Sequence, residues 1–85
     1  MAPLIFSQPA IFRLQRLGSM HYHQTGERYK LADEGGILEL LHSSASVKNP
    51  KVSSAYIAFL TELEKDQIDA LAERGVELRV PNMLH

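Results

Sequence analysis

The stretch IFRLQRLGSMHYHQTGERYKL, residues 11–31, decides how the rest of the chain is read. Phe12-Arg13-Leu14-Gln15 alternates apolar and polar side chains, the period of a half-buried strand, so residues 11–17 read as β. Gly18 and Ser19 interrupt that run. Two short Tyr-bearing segments, 20–24 and 27–31, then flank Thr25-Gly26, which reads as a β-hairpin. With a two-residue turn, His23 pairs with Arg28, Tyr22 with Tyr29, His21 with Lys30 and Met20 with Leu31. Strand side chains alternate faces. Met20, Tyr22, Tyr29 and Leu31 therefore make a core-facing surface, and His21, His23, Arg28 and Lys30 a basic one. A bulge or a longer turn shifts that register.

The basic face bears on chemistry. His21 and His23 have the H-x-H spacing of many zinc sites, and a metal-binding protein or small metalloenzyme built on them is one alternative. Against it, the pair faces Arg28 and Lys30 with no carboxylate beside it, and a divalent cation is repelled there. The third ligand would have to be His42 or His85. No metal site and no cofactor is assigned. An anion suits the face better, so His21, His23, Arg28 and Lys30, flanked by Arg13 and Arg16, are the candidate residues for an anionic ligand or nucleic acid. Sheet surfaces that bind single strands stack bases on exposed aromatics, whereas Tyr22 and Tyr29 fall on the opposite face.

Upstream, residues 1–10 are punctuated by proline and read as irregular or edge structure. Asp33-Glu34-Gly35-Gly36 is a break. Residues 37–46 fit a short strand or a helix; the serines 43, 44 and 46 favour the strand reading. Asn49-Pro50 reads as a turn, and residues 52–60 as a strand with Ala55, Ile57 and Phe59 on one face. Thr61 and Glu64 match a capping box, opening a helix over about 62–74 that Gly75 stops. Val76 to Val80 alternates as a last strand. Glu62, Asp66, Asp69 and Glu73 share the exposed side of the helix, a candidate acidic face for docking a protein.

These elements predict one α+β domain over residues 1–85: a small antiparallel sheet of about four to six strands with one amphipathic helix on one face. Net charge is −1 but uneven. Residues 1–32 carry +3, residues 33–59 carry −1, and residues 60–85 carry −3. The chain has no cysteine, which excludes disulfides, thiolate metal sites and a cysteine nucleophile. Its start lacks the basic region of a signal peptide, and it has no long apolar run, so the expectation is a soluble, cytoplasmic protein without membrane contact. No G-x-S-x-G elbow or phosphate loop is present. The functional expectation is a small non-enzymatic regulatory or inhibitory module that binds a protein partner and forms a homodimer through a strand edge. Nucleic acid is the second expectation.

Overall fold

The computed structural model describes residues 3–76 and 78. They form four helices: α1 over Gln8–Thr25, α2 over Glu34–Ser46, α3 over Pro50–Leu60 and α4 over Lys65–Glu73. No strand occurs among the described residues. The expected α+β sheet is therefore overturned. Residues 11–17 and 20–24 belong to one continuous helix, 27–31 are loop, and 37–46 and 52–60 are helices. The expected strand at 76–80 lies largely outside the described residues.

The reason is a period that short windows hide. In α1, Ala10, Leu14, Leu17 and His21 are buried, spaced i, i+4, i+7 and i+11. In α2, Leu40, Leu41 and Ser44 are buried, with Ile37 packed beside them, the i, i+3, i+4, i+7 stripe of an amphipathic helix. In α3 the same spacing buries Val52, Ala55, Tyr56 and Phe59. Four residues of Phe12-Arg13-Leu14-Gln15 look alternating, yet Phe12 lies opposite the buried line and is 63% exposed.

The helix ends obey local chemistry. Ser7 caps α1, its Oγ accepting from the Ala10 N–H at 3.3 Å, with Pro9 in the first turn. Gly26 closes α1 at φ +77°, a left-handed conformation, and donates its N–H to the Tyr22 carbonyl at 2.8 Å. The supposed hairpin turn is thus a helix stop. Asn49-Pro50 is likewise a helix start. Asn49 is extended, as a residue before proline must be, and its Oδ1 accepts from the N–H groups of Lys51 and Val52 at 2.9 and 3.3 Å.

α4 is the expected helix, shortened. Its cap is Glu64 rather than Thr61: the Glu64 N–H donates to Gln67 Oε1 at 2.9 Å, while Thr61 Oγ1 donates back to the Ala58 carbonyl. Gly75, at φ +85°, ends it as expected. The Val76 N–H reaches the Leu71 carbonyl and the Gly75 N–H the Ala72 carbonyl, both at 3.0 Å.

α1 and α3 form the most intimate pair, and α2 lies against both. Their stripes meet α4 through Leu71, and Val76 joins the same core. Phe59 is fully buried at its centre, with Phe6 edge-on at 5.5 Å. Two glycines allow close approach. A Cβ on Gly18 would stand 3.2 Å from the Leu31 side chain, and one on Gly36 would stand 1.8 Å from the Lys30 carbonyl oxygen. The Arg74 Nε lies 3.0 Å from Glu34 Oε2, tying the end of α4 to the start of α2.

Candidate functional site

The six expected cationic residues do not share a face. Residues two positions apart on a helix are separated by about 200°. His21 therefore points into the core, 1% exposed, while His23 is exposed in the last turn of α1. The H-x-H pair cannot converge on one metal ion, and no group of three His, Asp or Glu residues that could hold one occurs among the described residues. Arg28 lies in the loop after α1 with its guanidinium 4.3 Å from the centre of the Tyr22 ring, a cation–π contact. Tyr22 is thus a surface residue, 44% exposed, not a core anchor. Lys30 borders a shallow depression that also contains Asp33 and Glu39.

His21 is held in a polar cluster. Its Nε2 is 2.8 Å from Ser43 Oγ, and its Nδ1 3.2 Å from Thr25 Oγ1. Thr25 donates its single proton to the His21 carbonyl at 2.9 Å and accepts from the Glu27 N–H at 3.2 Å. It can then only accept from Nδ1. Nδ1 is therefore the donor in that bond, and Nε2 lies within hydrogen-bond distance of the Ser43 hydroxyl. Tyr29 stands edge-on to the imidazole at 5.4 Å and donates its phenol to Glu27 Oε2 at 2.6 Å. That bond to a carboxylate is the main reason the Tyr29 phenol is pushed above its usual range, with the Ser43 hydroxyl next in size and acting the other way. A serine–histidine pair at this distance has the spacing of a nucleophile and its base. Here the ring is sealed in the core, 1% exposed, away from any substrate. The cluster fastens the 26–33 loop to α1 and α2.

The remaining two cations define the site. Arg13 and Arg16 stand on the flank of α1 beside α3, where they border a cleft of about 490 Å³. Its lining is Arg13, Arg16 and Met20 from α1, with Pro50, Lys51, Ser54, Ala55 and Ala58 from α3. Met20, Ala55 and Ala58 supply an apolar floor, and the three cations a rim without a carboxylate. Arg13 has a distant partner, with its Nε 3.8 Å from Glu62 Oε2. Among the described residues, Arg16 and Lys51 have no ion pair. Lys51 also stands in the first turn of α3, which holds no acidic residue to offset the positive end of the helix dipole.

Lys51 was not among the expected site residues, because Asn49-Pro50-Lys51 read as a turn. Once α1 is a helix, Arg13, Arg16 and Met20 fall at i, i+3 and i+7, a sequence signal that a strand reading discards. Of the expected acidic face, Glu62 precedes α4 and pairs with Arg13. Asp66, Asp69 and Glu73 remain exposed along one flank of α4, with Lys65 Nζ 3.5 Å from Asp69 Oδ2. No helix among the described residues is long and apolar enough to cross a membrane. A scan against protein-family models and searches of curated proteins and of solved structures return no match to this chain.

Proposed function

We propose that this chain is a protein-interaction module that takes an acidic, amphipathic helix of a partner into the α1/α3 cleft. The observation that supports it is the lining: an apolar floor of Met20, Ala55 and Ala58 under a rim of Arg13, Arg16 and Lys51. An apolar floor gains by covering with an apolar side chain, and the rim gains from carboxylates flanking it. That combination is the helix-in-groove mode of recognition. Nucleic acid fits less well, since the cleft lining has no aromatic ring for a base to stack on and the chain is net −1. The edge-strand route to a partner is dropped with the sheet.

The test is fluorescence anisotropy with a labelled synthetic helix bearing leucines on one face and glutamates flanking them. Saturable binding is expected, weakening with salt and falling about tenfold in Arg16→Glu with Lys51→Glu. A scrambled peptide of the same composition and a random oligonucleotide serve as competitors. Equal binding of the scrambled peptide, tighter binding of the oligonucleotide, or no binding at all overturns the reading.

A further inference from the structure

We infer that the helix occupying the cleft is α4 of a second copy of this chain, in a reciprocal pair; this rests on the reading of the cleft just given. α4 has the required character. Asp66, Asp69 and Glu73 are exposed along one flank, and Ile68, 40% exposed, and Ala72 lie beside them on its outer side. Lengths agree as well. The cleft runs from Arg13 to Met20 on α1 and from Pro50 to Ala58 on α3, about 10–12 Å of helix rise, and α4 rises about 12 Å from Lys65 to Glu73.

The position of the two patches relative to each other carries the inference furthest. Arg13, on the rim of the cleft, contacts Glu62, two residues before the cap of α4. The rim of the basic cleft is therefore tied by that ion pair to the segment that leads into the acidic helix. A two-fold axis passing between two adjacent, complementary patches lays each on the other's counterpart, so every contact forms twice. The net charge of −1 on each copy opposes the approach only weakly. Ile68 of one copy would then cover Met20, Ala55 and Ala58 of the other. Arg16 and Lys51 would gain the carboxylates they lack among the described residues.

Charge reversal tests this without disturbing the core. Arg16→Glu with Lys51→Glu makes both patches of one copy acidic, and Asp66→Lys with Glu73→Lys makes both patches of the other basic. These four residues are exposed and make no described ion pair, and circular dichroism checks that both variants stay helical. Light scattering and sedimentation equilibrium are expected to show a concentration-dependent dimer for the wild type, weakened by salt. Each variant alone should be monomeric, with its dissociation constant raised about tenfold or more, and an equimolar mixture should recover the dimer. Recovery requires the two patches to meet each other. A wild type that stays monomeric at every concentration overturns the inference, and so does a dimer indifferent to both variants or a mixture that stays monomeric. If the acidic peptide still binds in those cases, only the identity of the occupant fails. If it does not, the reading of the cleft fails too.

Discussion

His21 occupies a position where the α1 stripe calls for an apolar side chain, and its neighbours explain how it is tolerated. Both ring nitrogens have partners, Ser43 and Thr25, and Thr25 spends its whole hydrogen-bonding capacity within the cluster. A buried polar group so satisfied costs little, and one stripped of its partners costs much. His21→Ala removes both bonds and opens a cavity in a residue that is 1% exposed, so a loss of about 2–4 kcal/mol is expected. His23→Ala, two residues on and exposed, should change stability by no more than about 0.5 kcal/mol. Urea unfolding of the two variants measures the contrast. Similar costs at both positions would mean that His21 is not held as described. The H-x-H motif is thus two unrelated residues, one inside and one outside.

Gly36 makes the equivalent argument at the scale of an element. It sits in the first turn of α2, where the Lys30 carbonyl oxygen would lie 1.8 Å from any Cβ. The obstacle is backbone, so it cannot rotate away. Gly36→Ala should cost about 3 kcal/mol, by forcing the 27–33 loop off α2. Gly35→Ala, one residue earlier with open space around it, should instead stabilise by about 0.5–1 kcal/mol, because glycine is a poor helix residue. Thermal melts of the two neighbours should move in opposite directions, and a shared direction would contradict the close approach. The sequence shows only a Gly-Gly pair, which reads as a break; the Lys30 contact is tertiary and leaves no local mark. The same limit explains the mistaken sheet. α4 was legible because its acidic start, Leu71 and Gly75 lie within one short window. α1 was not, since its stripe shows only over Ala10 to His21, and Pro9, Gly18 and Gly26 all resemble interruptions. Ser7 and Asn49 have cap chemistry, but the prolines after them made residues 1–10 read as irregular or edge structure and Asn49-Pro50 as a turn. The cleft inherits the error: Arg13 and Arg16 were identified as candidates, but only as residues flanking the hairpin face of Arg28 and Lys30, and under a period of two they fall on opposite faces, whereas at i and i+3 on a helix they share one.

Across the whole molecule, two phenols resist losing their protons, Tyr56 inside the core and Tyr29 at its margin beside Glu27. Tyr56 is 4% exposed, and among the described residues its hydroxyl has no hydrogen-bond partner. Burial pushes its titration above the usual value of 10.0. Tyr29 is raised as well, chiefly by its bond to Glu27. In both, the folded state favours the neutral phenol. The resulting stability is fully present below pH 10.0, the unperturbed value, and is lost as pH rises through the higher folded values. The tyrosine contribution to stability should therefore be level from neutral pH to about 10 and should fall steeply beyond it, with tyrosinate absorbance appearing together with unfolding. Tyr56→Phe separates the causes. It deletes a hydroxyl that is desolvated without compensation, so at neutral pH stability should be unchanged or higher by up to about 1 kcal/mol, a few degrees in Tm for a chain of this size. Its alkaline decline should also be shallower, because one of the two raised phenols is gone. A clear loss of stability at neutral pH would reveal a partner for that hydroxyl, and an alkaline limb matching the wild type would place the control of high-pH unfolding elsewhere, with Tyr29→Phe as the next variant to measure.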